Sequence, residues 1–248
     1  MKRLYGLIGF PLGHSFSARH FADKFQQEHL PECEYRNFPL ESILELPAML
    51  ENHPELCGFN VTIPYKQEVI PYLTDLGGEA REIGAVNCVK ITPKGLFGYN
   101  TDAYGFQKSL LELIGNKRPD ALILGTGGAS KAVAYVLKKL GIPFSFVSRQ
   151  SGDNRLTYSE LTPEVMETHK LIINATPLGT FPKVTGCPAI PYETLTPAHF
   201  LFDLVYNPAL TEFLRRGQEQ GAAIRNGYDM LIGQAEKAWE IWNTTSHE

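Results

Sequence analysis

The chain has 248 residues, 43% of them hydrophobic, a formal net charge of −4 and a sequence pI near 6.0. That length accommodates one large core or two modest ones, and the lack of a basic excess excludes nucleic acid or an anionic membrane as the main partner. No apolar run reaches the roughly 18–20 residues of a membrane span, and Met1–Gly6 runs straight into a strand pattern rather than a signal peptide.

Four scattered cysteines and seven histidines, with no Cys-x-x-Cys and no clustered His pair, argue against a disulfide framework or a metal site. The expected setting is a reduced, soluble protein of the cytoplasm, as a monomer or a homodimer.

In chain order, Leu4–Ile8, Tyr35–Phe38 and Gly58–Thr62 are expected strands, with helices over Ser17–His29 and Ser42–Leu50 between them. Pro64 suits the first turn of a further helix, which would put Lys66 near a helix start. Val86–Ile91 and Leu96–Tyr99, joined by Thr92-Pro93-Lys94-Gly95, read as a hairpin. From Ala121 the rhythm is more regular: Ala121–Leu124, Phe144–Val147, Leu171–Asn174 and Phe200–Val205 are buried-strand candidates. The helix over Lys131–Leu140 buries Val133, Val136, Leu137 and Leu140, and Gly141 stops it. The last helix carries Leu231, Ala235, Ala238 and Trp242 on one stripe. Alternating strands and helices predict an α/β protein with mostly parallel sheets.

The segment Gly125-Thr126-Gly127-Gly128-Ala129-Ser130 lies between a strand and a helix, the layout that lets backbone N–H groups approach a dinucleotide pyrophosphate. Ser130 stands where the strict motif has a third glycine, and a tight structural turn would look the same. After the next strand, Ser148-Arg149-Gln150 holds no acid for a free ribose 2′-hydroxyl, whereas Arg149 suits a 2′-phosphate. A solvated arginine is the alternative for Arg149 alone; with the turn, it favours NADP over NAD.

Ahead of the turn, Ser15 and Ser17 enter a helix and can donate to a carboxylate, although Ser17 also reads as an N-cap. Lys66 near a helix start would have its charged form disfavoured, lowering its pKa toward a useful range, unless it is an idle surface lysine. Asp102 begins a helix and reads either as an N-cap or as a carboxylate that orients and balances Lys66. Asn87 is of the type that reads a substrate hydroxyl.

These stretches resemble the shikimate dehydrogenase family over nearly the whole chain. The resemblance is carried by Gly13–Ser17, Asn60-Val61-Thr62-Ile63-Pro64-Tyr65-Lys66, Gly84-Ala85-Val86-Asn87, Asn100-Thr101-Asp102 and the glycine turn. It continues through Asn174–Gly179, Asp203–Pro208 and Asn226-Gly227 to Gln234. It implies a substrate domain of residues 1–102 and 228–248, and a Rossmann NADP-binding domain of residues 103–227. The implied activity is reversible NADPH-dependent reduction of 3-dehydroshikimate to shikimate, a small-molecule reaction of aromatic amino-acid biosynthesis. Lys66 and Asp102 would form its catalytic pair. Ser15, Ser17 and Tyr206 would hold the substrate carboxylate, and Thr62, Asn87 and Gln234 its ring. Gly125, Gly127, Gly128 and Ala129 would cradle the pyrophosphate. Ser148 and Arg149 would meet the adenosine phosphate, and Thr176 and Gly227 the nicotinamide end. Two departures stand out: the family's Asn-Arg-Thr is Ser148-Arg149-Gln150 here, and the connection over Gly152–Thr162 is short. Rival readings are quinate dehydrogenation, a non-catalytic ligand sensor and a methylenetetrahydrofolate dehydrogenase, for which the paired serines have no task.

Overall fold

The computed structural model describes residues 2–13, 16–150, 152 and 155–244. The chain divides into two compact units, Met1–Thr101 with Ala235–Glu248, and Asp102–Gln234.

The first unit contains β1 (Arg3–Gly9), α1 (Phe16–Gln27), β2 (Cys33–Pro39), α2 (Leu46–Asn52), β3 (Leu56–Val61), β4 (Asp75–Leu76), α3 (Gly78–Ile83), β5 (Cys88–Thr92) and β6 (Gly95–Tyr99). Its sheet has the order β2-β1-β3-β5-β6-β4. The β2-β1-β3 strands are parallel, and the β5–β6 hairpin adds antiparallel to β3. Alternation along β1 sends Leu4 and Ile8 into one core cluster and Tyr5 into the other. The second cluster is aromatic, joining Tyr5, Phe21 and Phe25 to Trp242 of the last helix. Gly58 is required there, since a Cβ would stand 2.4 Å from the Trp242 ring.

The second unit runs α4 (Thr101–Ile114), β7 (Ala121–Leu124), α5 (Gly128–Lys139), β8 (Phe144–Ser148), β9 (Arg155–Thr157), α6 (Pro163–Thr168), β10 (Leu171–Asn174), β11 (Phe200–Asp203), α7 (Glu212–Glu219), β12 (Ala223–Arg225) and α8 (Tyr228–Asn243). Thr101 falls to the first unit, and α8 returns the chain to it from Ala235. The sheet order β12-β11-β10-β7-β8-β9 is parallel throughout. Read from β9, this is the doubly wound dinucleotide-binding order, with its topological switch between β7 and β10. The strands β7, β10 and β11 are fully buried, which explains their near-continuous apolar sequences.

Several expectations are corrected. No helix begins at Pro64: residues 63–69 form successive turns, with Tyr65 N–H donating to Thr62 O and Val69 N–H to Tyr65 O. Asp102 is not an N-cap but the second residue of α4, and Ser17 is likewise the second residue of α1. The strand from Phe200 stops at Asp203, whose carboxylate accepts the Val205 N–H at 3.0 Å and turns the chain. Ser42 caps a short 3-10 turn in a capping box with Glu45, so α2 starts only at Leu46. The connection after β8 holds β9, paired to β8, and a capped 3-10 turn at Tyr158–Glu160.

Candidate active site

In the first unit, Ser17 is buried on α1, which follows the C-terminal end of β1; Ser15 lies outside the described residues. Thr62 directly follows β3 and donates its N–H to Ile8 O at 3.0 Å. Lys66 is half-buried, and its carbonyl accepts the Val86 N–H at 2.7 Å. Asn87 is buried just ahead of β5, and its main-chain oxygen accepts the Val61 N–H at 2.9 Å. These bonds bring the Thr62–Lys66 segment and Asn87 together at the strand ends. The Asn87 side-chain oxygen accepts the Thr101 N–H at 2.6 Å, while Asn100 Nδ2 donates to Ala85 O at 3.0 Å.

In the second unit the glycine turn lies at the switch point. Gly125 has φ of +102°, which favours glycine, and a Cβ there would come within 2.9 Å of Thr176 Cγ2. At Gly127 and Gly128 a Cβ would meet nothing within 4 Å, so the face is open. Gly127 caps α5 with no side-chain bond, and in the first turn the Ser130 N–H donates to Gly127 O at 3.1 Å, behind the open glycine face. Ser130, the departure from the strict motif, is buried and turns its hydroxyl back to Gly127 O at 2.6 Å. Ala129 is half-buried in the same first turn. These features fit a bound pyrophosphate.

Beyond β8, Ser148 Oγ donates to Gln150 O at 2.6 Å and accepts the Gln150 N–H, shaping a turn from which Arg149 is exposed. Tyr206 is 38% exposed after β11, and Gln234 is buried on α8. Gly227 precedes α8, and a Cβ would lie 2.2 Å from Leu204 O, so no other residue fits without moving the chain. Lys66 and Asp102 fall to different units.

Sequence reasoning missed the network that holds the Thr176 loop. Thr176 Oγ1 donates to Asn174 Oδ1 at 2.6 Å, and Asn174 Nδ2 donates to Asp203 Oδ1 at 2.9 Å. Thr211 Oγ1 donates to Asp203 Oδ2 at 2.6 Å. The spacing Asn174-x-Thr176, with its main-chain bond from Thr176 N–H, is a side-chain turn signal that could have found it.

Burial pushes the Asp203 carboxyl up from 3.8 to about 6, against hydrogen bonds from Thr211, Val205 and Asn174 that favour the anion. The folded chain therefore holds this proton more tightly than the unfolded chain. The stability so contributed is complete below the unfolded value of 3.8 and is lost as pH rises through about 6. Relative to Asp203→Asn, the wild type is expected to lose up to about 3 kcal/mol across that window. Urea unfolding at stepped pH measures this, and a pH-independent difference would contradict it.

Among the described residues, no group of three or more His, Cys, Asp or Glu could hold a metal ion, and no helix is long and apolar enough to cross a membrane.

An open glycine turn at the switch point of a doubly wound sheet makes the second unit a Rossmann-type dinucleotide-binding domain, and the first unit is an α/β domain with buried polar side chains, so the chain is of the two-domain dinucleotide-binding class. Residues 7–89 match the family described as the shikimate dehydrogenase substrate binding domain. The NADP(+) shikimate dehydrogenase of Clostridium beijerinckii is 38% identical, over 96% of this chain and 91% of its own. The shikimate dehydrogenase of Thermus thermophilus, solved with NADP(H) and shikimate, superposes with a TM-score of 0.85 at 30% identity, over 97% of this chain and 93% of its own. The quinate dehydrogenase of Corynebacterium glutamicum, solved with NAD, gives a TM-score of 0.87 at 28% identity, over 98% of this chain and 94% of its own. The chain belongs to the shikimate dehydrogenase family of NADP-dependent oxidoreductases.

Proposed function

We propose that this protein catalyses the reversible NADPH-dependent reduction of 3-dehydroshikimate to shikimate, with Lys66 and Asp102 as its catalytic pair. The observation that carries this reading is the set of buried polar residues Ser17, Asn87 and Thr101 in the first unit, the first two within residues 7–89, which match the substrate binding domain of the family. A polyhydroxylated ring with a carboxylate needs such a set of short donors and acceptors.

Bound NADP(H) supplies or accepts the hydride. Lys66 donates a proton to the carbonyl oxygen during reduction and takes it back in the reverse direction. The Asp102 carboxylate orients that ammonium and balances its charge. Ser15 and Ser17 donate to the substrate carboxylate, with Tyr206 as a further donor, and Thr62, Asn87 and Gln234 read the ring hydroxyls. On the cofactor side, the turn from Gly125 to Ala129 would hold the pyrophosphate at the start of α5, Ser148 and Arg149 would hold the adenosine phosphate, and Thr176 and Gly227 would border the nicotinamide. The two domains share this work, so 1–102 with 228–248 serves the substrate and 103–227 the cofactor.

Loss of nicotinamide absorbance with NADPH and 3-dehydroshikimate tests the reading, repeated with NADH and, in the reverse direction, with quinate. Turnover with NADPH and 3-dehydroshikimate is expected; none with either nicotinamide would defeat the reading, and a preference for quinate would make the protein a quinate dehydrogenase. Arg149→Ala is expected to raise the KM for NADPH about 10- to 100-fold, through loss of a charge-assisted bond, while the KM for NADH stays unchanged. Equal effects on both nicotinamides would remove Arg149 from the 2′-phosphate.

A further inference from the structure

A polar chain that the hydride-transfer reading leaves unused crosses the first unit behind the substrate residues. Tyr35, on β2, donates its hydroxyl to Asn60 Oδ1 at 2.8 Å. Asn60 Nδ2 donates to the main-chain oxygen of Asn87 at 3.2 Å. The chain ends on Asn87 and Thr101, already joined through the Asn87 side chain. Ser17, Asn60, Asn87 and Thr101 are all buried.

The Tyr35 ring belongs to the aromatic core, stacked on Phe21 with centroids 4.7 Å apart and planes 15° apart. The core therefore fixes the ring, and the ring fixes where its hydroxyl points. An amide such as Asn60 can present either its oxygen or its nitrogen in a given direction. A tyrosine donor facing Oδ1 selects one of these orientations and leaves Nδ2 aimed at the Asn87 carbonyl. Burial pushes the phenol well above its usual range, so the hydroxyl keeps its proton and remains a donor.

We propose that Tyr35 is a positioning residue of the substrate site, whose hydroxyl, through Asn60, sets the Asn87 main chain for one orientation of a cyclic, polyhydroxylated carboxylate. This rests on the reading of Asn87 as a substrate ligand. Tyr35 itself touches no reacting atom. It converts a rigid aromatic packing contact into a fixed placement of the Asn87 end of the site.

Tyr35→Phe tests the inference, because it keeps the ring on Phe21 and removes one oxygen. The KM for 3-dehydroshikimate is expected to rise about ten-fold, while the KM for NADPH and the thermal midpoint hold. In a double-mutant cycle with Asn60→Ala, the losses should be less than additive, since both changes break the same relay to Asn87. An unchanged substrate KM, strictly additive losses, or a rise in both KM values with a lowered midpoint would overturn the proposal. A variant that does not fold makes Tyr35 a core residue only and overturns it as well. Wild-type turnover is measured first: its absence defeats the proposed function, whereas its presence with an unaffected Tyr35→Phe defeats this inference alone.

Discussion

Replacement of Lys66 by Ala is expected to lower kcat by about a hundred- to ten-thousand-fold, the contribution of a positioned general acid–base, while shikimate still binds. The expectation of intact binding has a structural basis. The Lys66 main chain is held by the bond from Val86 N–H to its carbonyl at 2.7 Å. Its neighbour Tyr65 is buried, with its hydroxyl donating to Leu40 O at 2.6 Å. Removal of the Lys66 side chain leaves both anchors in place, so the loop keeps its course. Single-turnover measurements and calorimetric titration with shikimate separate the two effects. Near-normal turnover would remove Lys66 from the chemistry, and lost binding with normal turnover at saturation would make it a ligand only.

Trp242→Ala is expected to destabilise the protein by about 3–5 kcal/mol. Trp242 is 5% exposed, stacks on Tyr5 with centroids 4.8 Å apart, and donates Nε1–H to Val89 O at 3.0 Å. Its truncation opens a cavity against Gly58, where the absent side chain cannot fill the space. Neighbouring Trp239 and Phe21 pack on the same cluster and would relax into the void only in part. Denaturant unfolding reads the loss as a lowered midpoint. A change under about 1 kcal/mol would mean that the end of α8 is not an anchor of the first unit.

Much of this architecture was legible from local pattern. Ala121–Leu124 and Leu171–Asn174 are strands at the residues expected, because continuous apolar runs bounded by turn residues suit parallel strands buried on both faces. Gly141 adopts φ of +66° just after α5, as expected of a helix-stopping glycine. The segment after Thr62 was not legible. Pro64 suggested a helix start, but the chain follows a series of turns closed by Tyr65, Val69 and Val86. The argument that a helix dipole acts on Lys66 therefore falls away, and its assigned role rests on the neighbours brought to it by β3 and β5.

The site was legible in its motif residues and hidden in its supports. Ser17, Asn87 and the glycine turn stand in recognisable short motifs, since the roles proposed for them depend on spacing along the chain. Tyr35 and Asp203 do not announce themselves. One is an aromatic in a strand and the other ends a buried strand, and each bonds an asparagine 25 or 29 residues away. Local propensity, hydrophobic period and glycine placement follow from neighbours in sequence, so the residues alone determined the α/β class, the glycine turn and most strands. Only the tertiary structure decided which polar groups meet, because a buried hydrogen bond is specified by packing across strands and not by adjacency in the chain.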